Sequence, residues 1–164
     1  MRVILEGPDG IGKSTLANKL ADHFGCDILH STENGSKEYQ DYFDKAHLDN
    51  MIMDRCFLSE LVYACAFNRR SKVPARTAEK LIKIYREIGW QIIILGGSQT
   101  FLNNRLNLRG DEDEAKVTKS RDISLLYSGL SYFYGIPVID LEHTSTEEII
   151  KNLEELNYGS LCVE

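Results

Sequence analysis

Gly7-Pro8-Asp9-Gly10-Ile11-Gly12-Lys13-Ser14 decides how this chain is read, because Val3-Ile4-Leu5 runs into it and Thr15-Leu16-Ala17-Asn18-Lys19-Leu20-Ala21 runs out of it. The spacing is Gly, four residues, then Gly-Lys-Ser, the P-loop pattern for cradling nucleotide phosphates. Glycines let the backbone turn its N–H groups inward around an anion. Lys13 can then reach the β- and γ-phosphates, and the Ser14 hydroxyl can ligate Mg²⁺. The flanks agree with the motif. Val3-Ile4-Leu5 reads as a short buried strand, and Leu16 and Leu20, spaced i,i+4, open a helix whose positive end faces the phosphates. A Gly-rich turn that merely contains a lysine would not need this strand-to-helix context.

Downstream, strands and helices alternate. Gly25 is placed to cap the first helix, Cys26 to His30 read as a second strand, and Ser31 to Ser36 as a loop. Residues 37–46 carry Tyr39, Tyr42, Phe43 and Ala46 at helical spacing. That stripe is either core packing or a ring wall for a flat substrate. Met51-Ile52-Met53 forms the next strand, with Asp54-Arg55 at its carboxyl end, the edge that faces the ligand crevice in an open parallel sheet. A helix with Leu58, Leu61, Val62 and Cys65 on one face follows. Asn68 to Pro74 is a basic turn, read equally as a solvated loop or as a source of cations for a phosphate. Residues 75–88 form an amphipathic helix burying Leu81, Ile84, Tyr85 and Ile88, and Trp90 to Leu95 is a strand, continuously apolar after Gln91, as expected where helices cover both faces. Ser98 caps a helix carrying Leu102, Leu106, Arg105 and Arg109. Residues 115–133 form a long helix with Leu125, Leu126, Leu130 and Phe133, and residues 135–141 a fifth strand. Ser145-Thr146-Glu147-Glu148 is a capping box opening the last helix. The expected fold is α/β: a P-loop, five-stranded parallel sheet in order 2-3-1-4-5 with helices on both faces.

Bulk properties narrow the class. A chain of 164 residues with 43% apolar and 27% charged content suits one globular domain, and a net charge of −6 argues against a general nucleic-acid partner. Cys26, Cys56, Cys65 and Cys162 have no metal-ligand spacing and read as reduced, buried thiols. No apolar run approaches the ~20 residues that span a bilayer, and no signal peptide is apparent, so no membrane partner and a cytoplasmic location are expected.

Three classes share this phosphate cradle. A switch GTPase needs a guanine-reading Asn-Lys-x-Asp, which Thr118-Lys119-Ser120-Arg121-Asp122 does not match. A motor ATPase would follow its metal-associated Asp with a water-activating Glu, but Asp54 is followed by Arg55, which cannot act as a base. A phosphoryl-transfer kinase remains.

Gly7 to Thr15, the strand ending Asp54-Arg55, then Ser59 and Tyr63-Ala64, and Arg105-x3-Arg109-Gly110-Asp111 resemble thymidylate kinases and the small deoxynucleoside monophosphate kinases of bacteriophages. The resemblance covers most of the chain in element order. It implies that ATP phosphates are bound by Gly7, Asp9, Gly10, Ile11, Gly12, Lys13, Ser14 and Thr15, with Lys13 neutralising charge. It implies Mg²⁺ on Ser14 and, through water, Asp54; Asp9 on the acceptor sugar; and Arg55 on the acceptor phosphate. Arg105 and Arg109, and further along Arg121, would belong to a mobile lid around residues 104–121. The rival reading of the lid arginines is surface pairing with Asp111 to Glu114. A homodimer is also implied, with the Phe57 to Phe67 helix as its contact surface, although a helix buried within one subunit fits the same residues. The stretch between Ser14 and Asp54 is shorter than in cellular thymidylate kinases, which trims the base-reading segment and leaves Tyr39, Tyr42, Phe43 and Tyr63 as stacking candidates.

The function expected is ATP-dependent phosphorylation of a deoxynucleoside monophosphate, dTMP or a related pyrimidine. The alternatives are a kinase of a neutral acceptor, such as a deoxynucleoside or a hydroxymethylated base in DNA, and a non-catalytic nucleotide-binding module.

Overall fold

The computed structural model describes residues 1–31, 40–109 and 114–159, with the side chains of 109, 114–117 and 157–159 left aside. Five parallel strands, β1 (Arg2–Glu6), β2 (Asp27–His30), β3 (Met51–Asp54), β4 (Gln91–Gly96) and β5 (Val138–Asp140), form one sheet in the order β2-β3-β1-β4-β5. This is the expected order, with the P-loop strand in the middle. Register is tight across the centre: Leu5 pairs with Asp54 on one side and with Ile93 on the other.

The β-strand period of two sorts side chains to opposite faces. Val3, Leu5, Ile93 and Leu95 point into one layer, packed by α1 (Lys13–Phe24), α5 (Gln99–Arg109) and α7 (Thr146–Gly159). Ile4, Met53, Ile92 and Ile94 point into the other, packed by α2 (Gln40–Ala46), α3 (Phe57–Ala66), α4 (Ala75–Glu87) and α6 (Glu114–Tyr134). Coverage of both faces explains the continuous apolar runs in β1 and β4.

The ends of the helices follow from local chemistry. Gly25 closes α1 at φ 62°, the left-handed conformation that glycine adopts without strain. The Ser98 hydroxyl accepts the Phe101 N–H at 3.1 Å to start α5, and the Ser145 hydroxyl accepts the Glu148 N–H at 3.1 Å to start α7.

Several helix faces differ from the periodicity reading. Tyr42 and Ala46 are core residues, and the Tyr85 hydroxyl and Trp90 indole N–H donate to the Tyr42 and Ala46 carbonyls at 2.7 and 2.8 Å. Those bonds fix α2 as packing, not as a ring wall at Tyr42; Phe43 is half-buried and Tyr39 lies outside the described residues. In α3, Cys65 is exposed, while Phe57, Leu58, Ser59, Glu60, Val62, Tyr63, Ala64 and Ala66 are buried, so the helix is inserted within the subunit. In α4 the buried side runs through Ala78, Leu81, Ile82 and Tyr85, leaving Ile84 and Ile88 at its margin. In α6, Ile123 and Tyr127 are buried, whereas Leu125 and Phe133 are exposed. Among the described residues no helix is long and apolar enough to cross a membrane.

Candidate active site

The carboxyl ends of β1 and β3, adjacent in the sheet, deliver the P-loop and Asp54-Arg55 to one edge. Two loop glycines show why the chain needs them there. Gly7 has φ 140°, and a Cβ on it would meet the Leu95 carbonyl oxygen at 2.5 Å. Gly12 has φ 114°, and its Cβ would sit 3.0 Å from the Arg105 guanidinium. Ile11 is fully buried in the core, so only its backbone faces a phosphate. Lys13, 5% exposed, lies across the loop and donates to the carbonyls of Gly7 and Pro8 at 2.9 and 2.7 Å.

Asp54 stands beside this cradle, 5% exposed. Its Oδ2 accepts the Ser14 hydroxyl at 2.5 Å and lies 3.1 Å from Nδ1 of His30. Its Oδ1 is buried and has no hydrogen-bond partner among the described residues. A buried carboxylate oxygen left without a donor costs free energy unless a cation or water meets it. An oxygen donor set of carboxylate and hydroxyl suits Mg²⁺. Ser14 and Asp54 therefore fit the metal that the sequence assigns to them.

Arg55 follows in a left-handed backbone conformation, φ 74°, which a non-glycine residue adopts at a cost. Its guanidinium pairs with Asp9 and lies 5.0 Å over the Tyr63 ring. The Tyr63 hydroxyl donates to the other Asp9 oxygen at 2.9 Å. Burial works against the guanidinium's charge, but Tyr63, Tyr127 and Glu6 more than offset it, and the Arg55 pKa is raised. Asp9 is thus held by two groups from the β3–α3 segment, and Tyr63, singled out in sequence as a stacking ring, stacks against Arg55 instead.

Opposite, Arg105 of α5 donates from Nε to the Gly10 carbonyl at 3.0 Å and its guanidinium lies 5.3 Å from the Phe101 ring centre. Asp9, Gly10, Gly12, Lys13, Ser14, Thr15, Arg55 and Arg105 line one cavity of about 540 Å³. Arg109 is the last residue of α5, with its side chain outside the description, as are residues 110–113 of the expected lid. Arg121 is exposed on α6.

The basic turn resolves toward structure. Arg69 donates from both terminal nitrogens to the Glu60 carboxylate at 2.7 and 2.9 Å, and the Lys72 N–H joins at 2.7 Å. A carboxylate from α3 claims that cation.

Sequence reasoning missed Glu6. It is fully buried at the end of β1, one residue before the P-loop. Its Oε1 accepts the N–H groups of Cys56 and Leu58 at 2.9 and 3.2 Å, and its Oε2 accepts the Ser59 hydroxyl at 2.5 Å and the Tyr127 hydroxyl at 3.3 Å. Burial raises its pKa, against the pull of Ser59, the Cys56 amide and Arg55. The signal available in sequence was a carboxylate in a strand covered on both faces, which demands buried donors.

No protein-family model matches the chain. The guanylate kinase of Mycoplasma genitalium is 31% identical over 144 residues, taking in 71% of this chain and 59% of that enzyme's length. Among solved structures, the YorR protein of Bacillus subtilis in complex with phosphorylated GDP superposes with a TM-score of 0.82 at 29% identity, covering 97% of this chain and 98% of that one. This chain has the P-loop NTPase fold. The same architecture is met at lower identity in deoxyadenosine kinase of M. mycoides with bound dATP, with a TM-score of 0.59 at 20% identity over 96% of this chain and 99% of that one. Shikimate kinase of Acinetobacter baumannii in complex with shikimate has a TM-score of 0.63 at 13% identity, over 99% and 95% of the two chains. These last two likenesses concern the P-loop fold alone.

Proposed function

We propose that this P-loop protein is an ATP-dependent nucleoside monophosphate kinase whose acceptor is a guanine nucleotide, GMP or dGMP. The observation that carries the reading is the shared cavity: Lys13, Ser14 and Arg105 on its P-loop side, and Arg55 on the Asp9–Tyr63 side. An acceptor phosphate oxygen attacks the γ-phosphorus of ATP, the bond to the β–γ bridging oxygen breaks, and ADP leaves. Such transfer needs alignment and charge neutralisation more than covalent help from the protein. Backbone N–H groups of the P-loop and Lys13 hold the donor phosphates, Arg55 holds the acceptor phosphate, and Arg105 and Arg109 close over the transferring group from the lid. Ser14 and Asp54 would hold Mg²⁺, which would supply positive charge to the phosphoryl-transfer site. Guanine is favoured over the pyrimidine implied by the thymidylate kinase resemblance because the guanylate kinase relative and the structure containing phosphorylated GDP both handle guanine nucleotides.

One observation favours a second reading, a neutral acceptor such as a deoxynucleoside. Arg55 is already matched by Asp9, and a hydroxyl asks less charge of it than a phosphate does. A coupled ADP-release assay across GMP, dGMP, dTMP, dUMP and the free nucleosides separates the two. Turnover of a monophosphate supports the first reading, turnover of nucleosides alone supports the second, and ATP binding with no transfer to either defeats both.

The homodimer implied by the thymidylate kinase resemblance has its best surface on α6, since α3 is inserted in the core. Leu125, Tyr132 and Phe133 are 62%, 93% and 77% exposed on one side of α6. Two aromatic side chains can each bury about 150–250 Å², a large share of the ~800 Å² per partner in a standard interface.

A further inference from the structure

Glu6 has no part in binding ATP or acceptor in the mechanism above, yet it is the most heavily hydrogen-bonded buried carboxylate among the described residues. Its four donors come from two places, the start of α3 and the middle of α6. The Cys56 amide, directly after Arg55, and the Leu58 amide and Ser59 hydroxyl belong to the N-cap and first turn of α3. The Tyr127 hydroxyl belongs to α6, and it also contacts the Ser59 hydroxyl at 2.9 Å. Glu6 itself is joined by one peptide bond to Gly7 of the P-loop.

The first turn of α3 needs such a partner. Cys56 precedes the helix and supplies no side-chain cap. The unmet N–H groups of a helix start are satisfied by an acceptor, here reaching across from the neighbouring strand. The bond to the Cys56 N–H also pins the peptide that follows Arg55. Together with the Arg55 N–H bond to the Leu5 carbonyl at 2.9 Å, it brackets the residue held at φ 74°. A strained conformation persists only where its surroundings over-determine it. Remove the bracket, and Arg55 can relax to an ordinary φ, which swings its guanidinium out of the cavity.

We propose that Glu6 is a positioning residue that holds Arg55 toward the acceptor, and that Tyr127 is the contact through which α6 registers on it. The kinetic form of this inference rests on the kinase reading given above. The Tyr127–Ser59–Glu6 chain ties α6 to the segment that carries Arg55. No residue of the chain touches substrate, so its effect is confined to where Arg55 points.

The test uses full-length Tyr127→Phe, which removes one hydroxyl, and Glu6→Gln, which keeps shape but replaces one accepting oxygen with an amide donor. Each is assayed well below its own melting temperature. A net hydrogen bond corresponds to ~2- to 10-fold in an equilibrium constant. Tyr127→Phe is therefore expected to raise the acceptor KM by about that factor while the ATP KM stays within about twofold. Glu6→Gln is expected to raise the acceptor KM further. Unchanged kinetics with only a lower melting temperature, or an equal rise in both KM values, overturns the proposal. A second readout does not depend on activity: the Nε–H resonance of Arg55 in ¹⁵N-labelled protein, assigned with Arg55→Lys. A shift or broadening of that signal in both variants supports positioning even if the wild-type protein phosphorylates no monophosphate, an outcome that would defeat only the kinase reading. An Arg55 signal identical to wild type in both variants overturns the positioning role.

Discussion

Replacing Arg55 by glycine and by alanine separates the strain at this residue from its chemistry. Both changes remove the guanidinium that pairs with Asp9 and covers the Tyr63 ring. They differ in the backbone. At φ 74° an L side chain bears about 1–2 kcal/mol of steric strain, which alanine retains and glycine relieves. Glycine also loosens the unfolded chain, which costs about 0.4–1 kcal/mol relative to alanine. The balance leaves Arg55→Gly more stable than Arg55→Ala by about 0.5–1 kcal/mol, the reverse of the order at an ordinary position. With a urea m-value of about 2 kcal/mol/M, that is a midpoint difference of ~0.3 M in side-by-side urea melts. Function should not follow stability. Both variants lose a charge-assisted contact to the acceptor, about 1.5–3 kcal/mol or roughly 10- to 150-fold in kcat/KM for the monophosphate. If Arg55→Ala proves equal to or more stable than Arg55→Gly, the strained backbone assigned to this residue is wrong. If acceptor kcat/KM survives in either variant, Arg55 does not hold the acceptor.

Lys13→Ala should leave the fold intact and lower kcat by about 10²–10³, the scale for losing one preorganised cation at a developing charge, in the same coupled assay. Glu60 is 8% exposed; burial raises its pKa, but the Arg69 fork, the Lys72 amide and their charges bring the net value below 4.5. A folded pKa below the unfolded one contributes stability that is present above about pH 4.5 and disappears as pH falls through the lower folded value. Arg69→Ala should therefore cost about 1 kcal/mol at neutral pH, the low end because Arg69 is 41% exposed. The cost should shrink toward acid, read as converging urea midpoints of mutant and wild type from about pH 7 down to pH 3. Light scattering on wild type and on a Tyr132→Ser/Phe133→Ser double variant tests self-association through α6: a dimer that becomes a monomer supports it, and an unchanged mass in the variant removes α6 from the interface.

How much of this was legible in the residues depends on whether a signal was local. The P-loop is a contiguous pattern between a strand and a helix, and Asp54-Arg55 falls on a strand end whose position follows from parallel topology. Strand order came from alternation and handedness, which do not require side-chain detail. The helix faces were less legible. In α6, Leu125 and Phe133 drew the apolar stripe toward the exposed side, while Leu126 and Leu130 do pack, half-buried, against the core. The residues that anchor it are Ile123 and Tyr127, and one of them carries a hydroxyl. In α3 burial on nearly every side erased the amphipathic period, so the face chosen by spacing took in the buried Leu58 and Val62 but also the exposed Cys65.

Glu6 and Arg69 mark the limit of such reading from opposite directions. Arg69 sits in a run of cations that looks available to a phosphate, yet its partner Glu60 comes from the preceding helix and takes both terminal nitrogens. Glu6 looks like the polar end of a strand, yet it gathers donors from residues 56, 58, 59 and 127, which no window of sequence brings together. The physics that could have exposed both is the same: a charge in a buried setting must be matched, so each buried carboxylate implies a set of donors and each donor so used is withdrawn from ligand binding. Applied to the cavity, that rule makes Asp9 the residue to watch. While Asp9 holds Arg55 and accepts from Tyr63, the guanidinium is matched within the protein. On the kinase reading proposed above, an acceptor phosphate would share or displace that pairing, which would favour ligands that carry both a sugar hydroxyl for Asp9 and an anion for Arg55.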